Sequence, residues 1–142
     1  MVSVEVLKTI YYGAIYPFIS YGVEIWGAAA DVHIGRILLL QKRAVRMMFG
    51  LGYTESCREV FIREKLLTVH SLYIFKLLTF FIKNKNGFSS CKDIHNHDTR
   101  NKDNFYVQRT HLKLTENSPF INGQKLLNRL PDSIKKKRRK GF

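Results

Sequence analysis

The chain has 142 residues, with 24 Lys and Arg against 11 Asp and Glu, and a formal net charge of +13. Its length suits one small domain, and an apolar fraction of 45% excludes a wholly disordered chain because it supplies a core. Two cysteines are too few for a disulfide framework, which favours a reduced, intracellular protein. The positive charge favours a polyanion as partner, either nucleic acid or an anionic membrane surface.

The first predicted helix spans residues 4–29 and is interrupted at Pro17. Proline lacks a backbone N–H and clashes with the preceding turn, so we expect the helix to kink or restart there. The uncharged stretch from Thr9 to Val23 covers 15 residues, whereas a membrane span needs about 20 apolar residues. Glu5 also stands where a secretion signal would be basic. We therefore predict a packed helix and no membrane segment.

The aromatic side chains of this helix have two interpretations. Exposed aromatic rings are platforms on which bases stack without sequence preference. Rings at helical spacing beside glycines are instead typical of a core, with tyrosine hydroxyls at its rim. We favour the core interpretation for all of them, namely Tyr11, Tyr12, Tyr16, Tyr21 and Trp26.

A second helix is predicted for about residues 32–49, with Asp31 as its N-cap and Gly50 and Gly52 after its end. One face is apolar except for Gln41, which we interpret as a buried hydrogen-bonding group that joins helices. The opposite arc is basic and contains no acid, which suits phosphate binding and equally suits an ordinary solvated face. Its residues are Arg36, Lys42, Arg43 and Arg46.

Two further helices complete a predicted bundle of about four helices, so the fold class is mainly α. Thr54 can cap a short third helix in which Glu59 and Arg63 form a favourable i, i+4 pair. Thr68 can cap a fourth helix that continues to about Lys83. This helix is apolar nearly all round, which is typical of the centre of a bundle.

The chain beyond this bundle (residues 1–85) becomes polar and then strongly basic. Residues 86–134 are predicted to form a polar connector and an irregular or short β-containing extension, because residues 105–114 alternate moderately in character. Residues 135–142 are predicted to be a disordered tail, since a run of like charges does not fold alone. A nuclear-import signal, a nucleic-acid arm and a solubilising end all fit this run. Its six cations are Lys135, Lys136, Lys137, Arg138, Arg139 and Lys140.

Catalytic and metal-binding patterns are weak in this sequence. Cys91, His95 and His97 form a C-x3-H-x-H cluster, but a structural zinc ion needs four ligands, and ordinary loop polarity explains the same residues. There is no Asp-Asp pair, glycine-rich phosphate loop or G-x-S-x-G motif, and the acidic residues are scattered. We therefore predict no catalytic residue, no metal ligand and no cofactor in this chain.

Several separated motifs also resemble a known family. They are Leu7 with Tyr11, Ile15, Pro17, Tyr21-Gly22 and Trp26-Gly27; Leu40-Gln41-Lys42-Arg43-Ala44 with Arg46; Leu66-Leu67-Thr68-Val69; and Gly123 with Asn128-Arg129-Leu130-Pro131 and Ile134. In this order the series resembles the thumb and downstream segment of reverse transcriptases from non-LTR (LINE-like, jockey-type) retrotransposons. The resemblance extends over nearly the whole chain.

The resemblance implies a helical thumb that grips a template–primer duplex near its minor groove, and it transfers that role to Lys42, Arg43 and Arg46. The implied partners are RNA or an RNA–DNA hybrid and the palm domain of a parent RNA-directed DNA polymerase, with no membrane. The palm's metal-binding aspartates, and hence its Mg²⁺, have no counterpart here, so we expect a fragment that is inactive alone. Its implied location is intracellular, and nuclear if the tail is an import signal. A small basic helical module that meets a protein or an anionic membrane remains the alternative.

Overall fold

The structure, a computed structural model, describes residues 2–84, 87–95 and 100–131. These ranges are mainly α-helical, which confirms the predicted fold class. The chain divides into two compact units, which we call unit 1 (Met1–Lys76) and unit 2 (Leu77–Phe142).

The first helical stretch is three short helices with a π-helical turn among them. In chain order these are α1 (Val4–Ile10), the π turn (Tyr11–Ile15), α2 (Tyr16–Ser20) and α3 (Val23–Trp26). The π turn ends two residues before Pro17, and such wider turns are a common cause of irregularity in a helix. The chain leaves the helix further on, at Gly22, whose φ of 59° lies in the left-handed region that glycine adopts readily.

Three further helices follow, and two of their predicted caps differ from the observed ones. These elements are α4 (Asp31–Phe49), α5 (Arg58–Arg63) and α6 (Val69–Lys83). Asp31 is the first residue of α4 and not its N-cap. Thr54 lies in a turn before α5, and Cys57 is the N-cap of that helix. Thr68 caps α6 as predicted, because its hydroxyl accepts a hydrogen bond from the Ser71 N–H at 3.4 Å.

Two clusters of buried side chains hold unit 1 together, and apolar burial there supplies most of its stabilisation. The first joins the π turn, the C-terminal half of α4, and α5, and it comprises Tyr11, Val45, Cys57, Val60, Phe61 and Leu66. The second joins α2, α3, the start of α4 and α6, and it comprises Ile19, Val23, Ile34, Val69 and Leu72.

Unit 2 is built around aromatic rings. Phe81 and Phe88 stack with their ring centroids 4.4 Å apart, and Phe105 and Phe120 meet these rings edge-on or tilted. Gly123 lies so close to Phe81 that a Cβ at this position would overlap the ring. The helices of this unit after α6 are α7 (Cys91–Ile94), α8 (Lys113–Glu116) and α9 (Pro119–Arg129).

Residues 105–114 form no β-strand, so of the two alternatives predicted for the extension the irregular one is observed here. Phe105 makes an isolated antiparallel bridge with Ser90. The side chain of Asn128 then takes the place of a partner strand. Its amide oxygen accepts from the Phe105 N–H and its amide nitrogen donates to the Phe105 carbonyl, both at 2.9 Å. Residues 105–110 are therefore irregular chain, anchored at Phe105 by the bridge and by this side-chain amide.

Candidate nucleic-acid interface

Gln41 fixes α4 against the elements around it. Its side chain is 1% exposed, and Nε2 donates to the Tyr11 hydroxyl at 2.7 Å and to the Leu67 carbonyl at 2.8 Å. Its Oε1 accepts from the Val69 N–H at 3.0 Å. That N–H belongs to the first turn of α6, whose donors have no partner within their own helix. Gln41 therefore caps α6 from a second helix, and its predicted role is confirmed.

An open groove of about 760 Å³ lies within unit 1, and α4, α5 and the start of α6 contribute residues to it. Its apolar lining includes Phe61, Leu66 and Leu67. Among the described residues that line it there is no Asp or Glu, whereas four are cations, Lys42, Arg46, Arg58 and Lys65. Three more carry hydroxyls, and these are Ser56, Thr68 and Ser71.

The four groove cations have no carboxylate partner within 4 Å in the part of the chain that the structure describes. Arg46 is oriented by a hydrogen bond from its Nε to the backbone carbonyl of Glu55 at 2.7 Å, which leaves its charge uncompensated. Unpaired cations gathered along one groove raise the local positive potential and attract anions.

The residues predicted as one basic arc of α4 separate into two pairs. Lys42 and Arg46, one turn apart, line the groove, whereas Arg36 and Arg43 are exposed outside it. Arg43 donates from Nη2 to the hydroxyl of Tyr53 at 3.3 Å, and its guanidinium carbon lies 6.0 Å from that ring's centroid. The six predicted tail cations, residues 135–140, lie outside the described residues.

Two groove cations, Arg58 and Lys65, were missed by reasoning from the sequence. Arg58 is the first residue of α5, and Lys65 follows the end of that helix. Arg63 lies in the same helix but is paired with Glu64 at 2.8 Å. Residue type and local spacing do not separate these three cations, because their surroundings depend on how α5 packs against α4.

The core interpretation of the aromatic side chains holds for Tyr11 and is wrong for Tyr12 and Tyr21, which are exposed. Tyr11 is 1% exposed and Tyr21 is 85% exposed. Phe18 and Ile25 are also 82% and 76% exposed. The helices α2 and α3 are short, and each buries one residue, Ile19 or Val23. Tyr16 and Trp26 are partly buried against the clusters, whereas Phe18, Tyr21 and Ile25 stay outside the core of unit 1.

The structure describes two of the three residues of the C-x3-H-x-H pattern, Cys91 and His95, and His97 lies outside the described residues. Over the described ranges, no group of three or more His, Cys, Asp or Glu side chains is placed to hold a metal ion. Within the same ranges, no helix combines the length and the apolar character that crossing a membrane requires.

Comparisons with protein-family models, curated proteins and solved structures found no match for this chain.

Proposed function

We propose that this chain is a non-catalytic, thumb-like nucleic-acid-binding segment of a retrotransposon reverse transcriptase, and that the groove of unit 1 holds the sugar–phosphate backbone of RNA or an RNA–DNA hybrid. The observation that carries the proposal is the composition of the groove, whose described lining residues include four cations and no carboxylate. The sequence resemblance to non-LTR retrotransposon enzymes supports the choice of nucleic acid among polyanions.

The groove side chains suit a backbone ligand. Arg46 and Arg58 carry planar guanidinium groups that donate two parallel hydrogen bonds to one phosphate, and lysines act as point charges. The hydroxyls of Ser56, Thr68 and Ser71 are donors and acceptors for phosphate and sugar oxygens. These contacts read no base identity, so the proposed binding is independent of sequence.

The number of groove cations gives the expected salt dependence. Neutralising about four duplex phosphates gives a slope of log K against log salt of roughly −3.6, from about −0.9 per phosphate. Raising the salt from about 50 to 200 mM then weakens binding roughly 100-fold. Fluorescence anisotropy of a labelled RNA–DNA hybrid measures both the affinity and the slope.

A matched pair of double variants tests the groove. Lys42→Gln/Arg46→Gln removes two groove charges, and Arg36→Gln/Arg43→Gln removes two charges from the same helix outside the groove. We expect the first variant to lose roughly 100-fold in affinity at about 50 mM salt and its slope to fall by about 1.8, whereas the second loses a few-fold. Equal losses would show attraction to general charge and would contradict the groove assignment.

The exposed apolar side chains of α2 and α3 favour a second function, a protein-interaction module. Phe18, Tyr21 and Ile25 are exposed although their side chains are large and apolar, and groups of such residues often mark contact surfaces. The same binding assay separates the two functions. A chain that is folded by circular dichroism but does not bind the hybrid at low salt would contradict the nucleic-acid function and leave the interaction module.

A further inference from the structure

Lys65 has a backbone conformation that is unusual for its residue type. Its φ is 55°, and it is the only residue other than glycine with a positive φ in the described ranges. The left-handed region brings a Cβ close to the following carbonyl oxygen, so it is unfavourable for lysine and costs glycine nothing comparable.

The end of α5 requires this conformation. The Lys65 N–H donates to the Ile62 carbonyl at 3.2 Å, and the Leu66 N–H donates to the Phe61 carbonyl at 2.9 Å. These two bonds form a Schellman motif, whose left-handed position is usually glycine. Leu66 and Phe61 are both buried in the first cluster of unit 1, which completes the motif with an apolar contact. The backbone thus accounts for a left-handed residue here but not for a lysine.

A comparison with the end of α4 shows what is particular to α5. Gly50 occupies the left-handed position after α4, with φ 65°, and is not among the groove residues. Lys65 occupies the equivalent position after α5 and lines the groove, with no carboxylate partner in the described part of the chain. Lysine, which is unfavourable in this backbone conformation, therefore occurs at the position that lines the proposed binding groove.

From this coincidence we infer that Lys65 is a phosphate-binding residue, and that the tight turn after α5 fixes the point from which its side chain enters the groove. The inference rests on the proposed function. A lysine at this position exchanges some stability of the fold for one of the four phosphate contacts proposed for the groove. Strained backbone conformations of this kind concentrate at functional sites.

Three substitutions in the full-length chain test the inference. Lys65→Gly relieves the conformation and removes the charge, so we expect a melting temperature higher by about 2–6 °C. We also expect binding to the RNA–DNA hybrid to weaken roughly tenfold at about 50 mM salt, with a salt slope smaller by about 0.9. Asparagine tolerates the left-handed region but lacks the charge, so Lys65→Asn should weaken binding as much as Lys65→Gly does. Lys65→Arg should retain binding, and Arg36→Gln is the control for charge lost outside the groove.

The outcomes distinguish this inference from the proposed function. A wild-type chain that is folded and does not bind the hybrid would overturn both. Wild-type binding that is unchanged in Lys65→Gly and Lys65→Asn would overturn the inference and leave the groove in place. A Lys65→Gly variant that is less stable than the wild type would also overturn it, because the lysine would then serve the fold.

Discussion

Replacing Gln41 by methionine should remove the bridge that joins α4 to the π turn and to the start of α6. Methionine has a similar length but no amide, so three hydrogen bonds are lost with little change in volume. The Tyr11 hydroxyl and the Val69 N–H lie in buried contacts and lose their partner without access to water. The Leu67 carbonyl is only partly buried, so water can replace its lost donor.

The two buried groups set the magnitude. Leaving a buried donor or acceptor unsatisfied costs about 1–3 kcal/mol, so two of them cost roughly 2–6 kcal/mol. The methionine side chain offsets part of this loss because it is more favourable than an amide in an apolar site, which places the expected loss at about 2–4 kcal/mol. That is a large part of the usual stability of a small protein, about 5–15 kcal/mol.

Urea unfolding followed by circular dichroism measures this loss, and an unchanged slope with urea shows that the variant unfolds in the same way. The exposed Gln108 is the matched control, and Gln108→Met should change stability by less than about 0.5 kcal/mol. Adding Tyr11→Phe to Gln41→Met should recover about 1 kcal/mol, because it removes one of the unsatisfied groups. A loss below about 1 kcal/mol for Gln41→Met, or no recovery in the double variant, would refute the bridge as a source of stability.

Two further predictions concern unit 2 and alkaline pH. Gly123→Ala should destabilise by about 1–3 kcal/mol because its Cβ would overlap the Phe81 ring, whereas Gly35→Ala, in open space within α4, should stabilise by about 0.5–1 kcal/mol. Similar urea midpoints for both variants would contradict the close packing of Gly123. Burial raises the pKa of Tyr11 above its ordinary value of 10.0 despite the opposing hydrogen bond from Gln41. The unfolded chain therefore loses this proton first, and the hydroxyl's contribution to stability is complete below pH 10.0 and is lost as pH rises through the folded pKa. Tyr11→Phe should show a shallower loss of stability in that range, and identical pH profiles would exclude this ionisation as a cause.

The longer helices could be predicted because their signals are local. The apolar stripe of α4 repeats with the helical period, and the observed bounds, Asp31–Phe49, nearly match the predicted ones. Gln41 was identifiable for the same reason, since a polar side chain within an apolar stripe must find partners when it is buried. The identity of those partners could not be predicted, because Tyr11 and Val69 are distant in the sequence and meet only in the packed unit.

The errors arose where a distant residue determines the outcome. Residue types alternate over residues 105–114, but the N–H and C=O of Phe105 are satisfied by Asn128 and not by a neighbouring strand. The exposure of Tyr21 likewise depends on packing, since α2 and α3 bury Ile19 and Val23 and leave Tyr21 outside the core. A single sequence without the fold contains neither constraint.

The candidate site illustrates how a helical arc differs from a groove. An arc of one helix collects side chains from successive turns over about a third of its circumference, and the basic residues of α4 satisfy that pattern. A groove between helices can use only the row that faces the second helix, here Lys42 and Arg46, and it adds Arg58 and Lys65 from the facing element. The arc and the groove therefore share two residues and differ in the others. If nucleic acid binds to the arc, substitutions of Arg36 and Arg43 should weaken binding as much as substitutions of the shared pair. If it binds to the groove, substitutions of Arg58 and Lys65 should have that effect instead.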